Sequence, residues 1–358
     1  MNLDVENLIR SIPKAELHIH LEGVIHPATT IELANKYERL GFVEKLSAIQ
    51  DQRSFSGFPD FHSYYHFCSE LIRSSEDFAR VVYECGQDMH DQNIRYREIY
   101  ISIYQHMHAY NKNLHYLEIL SGLEDGRNRA QTEFDVEIRW IFGIPRRRHF
   151  LDTDINGFDP TIAQTVLGYA IQGKEYGVIG IGLGGNEVGA PPEPFQDIFE
   201  EAMNNGLHSI PHADETAGPK SIWGAINALG AERIGHGVRA IEDKELVNEL
   251  KERSIPLDVC PTSNISIKLF DSIQNHPIHF LDSSGVIITI NSDDPSIFGS
   301  SLIDEYLTVF RTFDYSTIDL VRFAKNSINV SFAPIDLKEK YISEIETWID
   351  ERSLEMQE

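Results

Sequence analysis

Short strand-like runs alternate along the chain with longer stretches whose apolar residues recur at helical spacing. Eight such runs stand out: AELHIHL (15–21), RYREIYIS (95–102), EIRWIFGI (137–144), VIGIGLG (178–184), LHSIPHA (207–213), RIGHG (233–237), PLDVCP (256–261) and VIITINSD (286–293). Between the later runs, PFQDIFEEAMNNG, GPKSIWGAINALGA and DKELVNELKERS open near Pro, Gly or Asp and close near Gly or Ser, as outer helices do. Eight strands interleaved with helices predict an α/β chain folded as a (β/α)8 barrel of the TIM type. An open doubly wound sheet is the competing architecture, but no G-x-G-x-x-G opens a helix after the first run. The chain's 358 residues exceed the roughly 250 of a typical barrel. The excess falls within the first 95 residues and after residue 302, which predicts extra helices at both ends of a single domain, 1–358.

Composition narrows the possible partners. With 31 Lys+Arg against 56 Asp+Glu the formal charge is −25, a sign that repels phosphate backbones and anionic membranes, so neither nucleic acid nor a membrane surface is expected. Cys68, Cys85 and Cys260 are odd in number, far apart and in no C-x-x-C spacing, which suits a reducing compartment. The opening MNLDVENLIR has no basic or apolar leader pattern, and no window approaches the ~18 apolar residues of a membrane span. A cytoplasmic protein is the expectation.

Polar residues cluster at the C-terminal ends of the predicted strands, where barrel enzymes keep their active sites. His18 and His20 end the first, His212 and Glu215 follow the fifth, His236 ends the sixth, and Asp293 with Asp294 follow the eighth. Alternate residues on a strand share a side, so His18 and His20 are spaced to meet one ion. Adding His212 and Asp293 makes an N3O set that suits zinc with one position left for water, although iron or another divalent ion also fits such ligands. Core histidines satisfied by hydrogen bonds are the plainer explanation for any one of them, and a poor one for all four together. A metal lowers the pKa of bound water toward neutrality, and Asp293 and His236 are placed to take or steer its proton. Glu215 could carry a proton to a substrate, or be a helix-start glutamate favoured by the dipole. Asp294 could bind substrate, cap a helix ahead of Pro295, or do both.

Six segments, PKAELHIHLEG (13–23), GLGGNE (182–187), PHADE (211–215), ERIGHG (232–237), VCPTSN (259–264) and INSDDPSIFG (290–299), stand in an order that resembles the adenosine deaminase family of metal-dependent barrel hydrolases. The resemblance implies zinc on His18, His20, His212 and Asp293, and a small-molecule purine as substrate. It implies that Glu215 protonates purine N1, that His236 orients the attacking hydroxide, that Asp294 meets N7 and that the Gly185 N–H meets N3. A glycine suits that place because a side chain would block close approach of backbone to ring. The implied reaction is hydrolytic deamination of a 6-aminopurine to the 6-oxo product and ammonia, and the H-x-E and P-C-x-x-C signatures of nucleic-acid base deaminases are absent. A homo-oligomer is compatible with it.

The chain departs from the family pattern at three positions. Glu22 stands where adenosine-specific members usually carry aspartate near the sugar's 5′ end, so it is expected to read the substrate's distal end or to orient the nearby histidines. Relatives acting on free adenine share HLEG, whereas Gly184 and Gly185 look nucleoside-type. Asp214 replaces a usual glycine; it either raises the pKa of Glu215 by like-charge repulsion or, the favoured expectation, faces solvent. Tyr100 stands where an arginine often ends the second strand. Arg146, Arg147 and Arg148 follow the third strand and either pair with local acids in a solvated loop or face the pocket, where they would hold a carboxylate or phosphate. The latter fits aminodeoxyfutalosine, a 6-aminopurine nucleoside with a benzoate tail. The aromatic segment FSGFPDFHSYYHF (55–67) is either a packed insertion or a lid over the purine. Two other functions are disfavoured. Cyclic-amide hydrolysis with two metals would want a lysine in VIGIGLG, which has none, and a non-catalytic relative would have lost some of these residues.

Overall fold

The computed structural model describes residues 5–39, 55–109, 112–150 and 157–352. All eight predicted strands are present and every pairing between them is parallel. They are β1 (Lys14–His20), β2 (Ile94–Ile101), β3 (Glu137–Pro145), β4 (Val178–Gly184), β5 (His208–Ser209) with β6 (His212–Ala213), β7 (Ile234–His236), β8 (Leu257–Val259) and β9 (Ile288–Ile290). The run 207–213 is one barrel position broken in two around Pro211, a residue with no N–H to give to a ladder. Pairing accordingly runs in two sections, β1 to β5 and β6 to β9. The ends of the series meet at a parallel bridge between Ile19 and Asp293, where His20 N donates to Asp293 O at 3.0 Å and Asp293 N to His18 O at 3.1 Å. The seam between last and first strand therefore runs through the predicted metal ligands.

Outer helices form where the apolar spacing placed them. Lys244–Glu252 buries Leu246, Val247 and Leu250 and is capped by Asp243, whose carboxylate accepts from Glu245 N and Leu246 N. Gln196–Asn204 buries Ile198, Phe199 and Ala202, and Pro219–Asn227 buries Ile222, Ala225 and Ile226. The extra length is helical too. Pro27–Lys36, Phe58–Leu71 and Ser75–Asp91 lie between β1 and β2, while Leu302–Phe313, Thr317–Val330 and Ile335–Arg352 follow β9. Thr317–Val330 packs across β1 and β9 and so covers the seam. No helix among the described residues is long and apolar enough to cross a membrane.

Charged residues fill part of the barrel's interior. Arg233 on the approach to β7 bonds Glu98 of β2 at 2.5 Å and Asp258 of β8 at 2.6 Å, and Arg97 holds Glu16 at 2.7 Å, all fully or almost fully buried. Buried charges are tolerated only when paired, and each of these has a partner.

Candidate active site

His18 and His20 leave β1 on one side, as the two-residue repeat requires, and meet the Asp293 carboxylate across the seam. His18 Nε2 lies 3.5 Å and His20 Nε2 3.3 Å from Asp293 Oδ1, and His20 Nε2 lies 3.2 Å from His212 Nε2. Donors bound to a tetrahedral ion at about 2.0–2.1 Å stand about 3.3 Å apart, so these spacings suit one divalent cation. Both ring nitrogens of buried His18 and Nδ1 of His212 lack a hydrogen-bond partner, which burial would penalise unless another group meets them. Burial lowers His18 to about 4 and takes His212 well below its usual range, leaving the neutral imidazoles that a metal needs. The His/Asp cluster could hold a metal ion, with His236, Cys260, Asp294 and Glu215 bordering it. Close packing is required here: a Cβ on Gly235 would collide with the His18 ring.

The carboxyl groups of the site are pushed in opposite directions. Burial alone would raise Asp293, but the close imidazoles of His18 and His20 and the charge of His236 hold it well below the ordinary carboxylate range. Ser263 Oγ also donates to its Oδ2 at 2.7 Å. Burial raises Glu215 well above that range, and the charges of Asp293, Glu187 and Asp214 add to it. Asp294 is raised as well, by burial and by Asp293, Glu22 and Glu215. It occupies the cap position before Pro295 without capping, and its Oδ1 is buried with no partner. Glu215 lies in the loop ahead of the helix that begins at Pro219, so the helix-start explanation does not apply to it. His236 and Asp293 are non-glycine residues at positive φ, 64° and 63°, a sparsely populated conformation that surrounding structure must hold.

A cavity of 350 Å³ opens over this cluster, lined by His20, His212, Glu215, Asp293 and Asp294 and, on another side, by Gly184 and Gly185. Gly185 sits at φ 96°, and a side chain there would meet no atom and project into open space. The aromatic segment is both a packed insertion and a wall. Phe61 stacks on Phe298 with ring centroids 5.0 Å apart, while Phe58, Phe61, His62, Tyr65 and His66 line the cavity. Arg146, Arg147 and Arg148 line it as well. Arg146 is fully buried and committed to protein groups, donating to His212 O at 2.6 Å and pairing with Glu187 at 3.4 Å, whereas Arg148 is exposed.

One expectation changes, and two positions acquire their surroundings. Asp214 is not solvent-facing but fully buried, at φ 81°, and accepts from the backbone N–H of Arg239. At Tyr100, where relatives often carry arginine, the ring lies 4.9 Å from His18 and 4.8 Å from His212, and its hydroxyl donates to Ile210 O. Glu22 has no exposure and lies outside the main cavity's lining. Its oxygens accept from Tyr65 OH at 2.8 Å and Ser102 N at 2.9 Å and face His106 Nε2 at 3.0 Å. Burial would raise this carboxyl, but the His106 hydrogen bond and charge, helped by His20 and Ser102, bring it to about 2.

Other residues support the site from outside the set that the sequence singled out. Glu187, which ends GLGGNE, accepts from Asp214 N at 3.0 Å and Thr216 N at 3.1 Å, and so pins the loop that carries Glu215. Its place at the end of a polar motif was the available signal. Tyr65 lies in the aromatic segment 55–67, which its composition marks as packing or lid and not as a partner for Glu22, and His276 lies in a segment with no comparable mark.

The fold and site together define a barrel hydrolase with a cluster of metal-ligating side chains at the carboxyl ends of its strands. Residues 13–348 match the adenosine deaminase family model, and the chain belongs to that family. It is 34% identical over 345 residues to an aminodeoxyfutalosine deaminase of Streptomyces avermitilis, covering 96% of this chain and 93% of that one. It is 30% identical over 337 residues to an adenine deaminase of Chlorobium luteolum, covering 94% and 95%. Among solved structures, an adenine deaminase from Arthrobacter aurescens superposes with a TM-score of 0.84 at 27% identity, covering 95% of this chain and all of that one. The protein is a hydrolytic deaminase that acts on C–N bonds.

Proposed function

We propose that this protein is a zinc-dependent deaminase of a 6-aminopurine nucleoside, adenosine or a relative of it, acting as a single barrel domain. One observation carries the reading. N1, N3 and N7 of a 6-aminopurine are all acceptors, and the cavity wall holds three groups suited to meet them: Glu215 and Asp294, whose carboxyl pKa values burial and neighbouring acids push well above the ordinary range, and the backbone of Gly185. A zinc ion on His18, His20, His212 and Asp293 would supply a water ionised near neutral pH. Glu215 gives its proton to N1, which makes C6 electrophilic, while His236 directs the water's oxygen toward C6. A C6–O bond forms, the proton on the added oxygen passes to the amino nitrogen, and the C6–N bond breaks to leave the 6-oxo product and ammonia. The three cysteines are buried and unpaired, which supports a reducing, cytoplasmic setting.

A nucleoside with an anionic distal group, such as aminodeoxyfutalosine, is favoured within that class because Arg147 and Arg148 line the cavity of a chain whose net charge is −25. Free adenine fits less well, since 350 Å³ falls in the range of about 300–1,000 Å³ typical of pockets for larger ligands. A panel of adenosine, deoxyadenosine, adenine, methylthioadenosine and aminodeoxyfutalosine, followed by ultraviolet loss of the 6-amino chromophore, tests both statements. A nucleoside should give the highest kcat/KM, and Arg148→Ala should lower it about tenfold more for the carboxylate-bearing substrate than for adenosine. Fastest turnover of adenine would overturn the nucleoside reading.

A further inference from the structure

Asn264 closes the VCPTSN segment, is fully buried, and does not line the cavity. Its amide sits between two imidazoles, Nδ2 at 3.2 Å from His236 Nδ1 and Oδ1 at 3.1 Å from His276 Nε2. The far end of this chain is unambiguous, because the backbone N–H of Ile278 can only donate and lies 3.2 Å from His276 Nδ1. That nitrogen must therefore accept. Burial above all lowers His276 to about 3, so the ring is neutral and its one proton is on Nε2. The proton faces Asn264 Oδ1; turning the amide over would set NH2 against N–H. Asn264 Nδ2 then donates to His236 Nδ1, and the His236 proton is left on Nε2. Among the described residues that Nε2 is buried without a partner, 3.8 Å from Glu215 Oε1 and 3.9 Å from Asp293 Oδ2.

We propose that Ile278 N–H, His276 and Asn264 form a hydrogen-bond relay of fixed direction that locks His236 as an Nε2–H donor aimed between Glu215 and Asp293. On the deaminase reading, on which this inference rests, His236 donates to the oxygen of the attacking water and does not take its proton. The Asp293 carboxylate is left as the acceptor on that side. The His236 ring is fully buried, and Asn264 is anchored through its backbone: its N bonds Cys260 O at 3.0 Å and its carbonyl accepts from Leu269 N at 2.9 Å. Asn264 and His276 are positioning residues that act through His236.

The test reads the tautomer without any substrate. In ring-15N-labelled protein as purified, His236 should show an unprotonated Nδ1 and a protonated Nε2, and His276 the same. Asn264→Asp replaces the donor with acceptors, so it should move the His236 proton to Nδ1 and lower kcat about 10–100-fold while KM and metal content hold. His276→Ala should lower kcat and mix the tautomers, and His276→Gln, whose amide N–H can still reach Asn264 Oδ1, should restore much of the loss. A protonated Nδ1 on wild-type His236, or wild-type kcat with an unchanged tautomer in both Asn264→Asp and His276→Ala, overturns the relay. If Asn264→Asp does not fold, the wild-type spectrum and the two His276 variants decide. The predicted tautomer in a protein inactive on every 6-aminopurine would overturn the deaminase reading and leave the relay standing.

Discussion

Glu215 and Asp293 show how one pocket gives two carboxyl groups opposite duties. Histidine contacts outweigh burial at Asp293 and hold its pKa down, whereas Glu215 has burial and three neighbouring acids all pushing its pKa up. Glu215→Gln preserves shape and removes only the transferable proton. It should retain metal and fold while kcat falls about 10²–10⁴-fold, measured by turnover alongside metal analysis. Near-normal turnover would remove Glu215 from the chemistry. Glu22 acts at one remove, since Tyr65 and Ser102, which take its oxygens, are themselves cavity wall. Shortening it by a methylene in Glu22→Asp should shift those two residues. The ratio of kcat/KM between adenosine and a 5′-modified nucleoside should change by the roughly 1–3 kcal/mol that such pocket changes supply. Parallel change for both substrates would make Glu22 a scaffold residue only.

Elements obey the same physics with longer levers. Glu305, on the helix Leu302–Phe313, reaches across to the N-terminus of the helix Pro261–Ser266, where Thr262 N donates to it at 3.0 Å and Ser300 Oγ at 2.5 Å. Burial raises this carboxyl to about 7 despite those hydrogen bonds. The folded state therefore holds the proton more tightly than the unfolded chain, so stability is full below the ordinary value of 4.5 and falls as pH rises through 7. The loss should reach about 3 kcal/mol. Glu305→Gln resembles the protonated form, and urea unfolding across this pH range should show wild type losing ground to the variant as pH rises; a constant difference would refute the assignment. Local pattern revealed the elements far better than their meetings. Each strand was legible from a few consecutive residues, and the H-x-H spacing put two ligands on one side of β1. Nothing local marks Glu187 as the acceptor for Asp214 N, 27 positions on, or tells that Asp214 is enclosed by the turn carrying Arg239. The division of the fifth strand around Pro211 was written in the sequence, as a missing N–H.

At the scale of the whole molecule, the site is also where the barrel is closed. His18 and His20 stand on the first strand, Asp293 follows the last, and His212 comes from the broken fifth position, so the four donors join both paired sections of the sheet across the Ile19–Asp293 seam. An ion bound there stabilises only the folded chain, because the unfolded chain cannot bring these residues together. At 1,000 times its dissociation constant such a ligand adds about 4 kcal/mol. The protein should therefore carry about one equivalent of zinc, and chelation should lower both activity and the unfolding midpoint, with zinc restoring both. His20→Ala should bind little metal and unfold at the same midpoint with or without chelator. Arg233→Ala gives the contrast: stranding buried Glu98 and Asp258 should cost about 3–5 kcal/mol, yet the gap between metal-loaded and chelated midpoints should persist because the donor set is intact. If chelation empties wild type without moving its midpoint, the ion serves chemistry alone, and the backbone bonds of His20 N to Asp293 O and Asp293 N to His18 O hold the seam unaided.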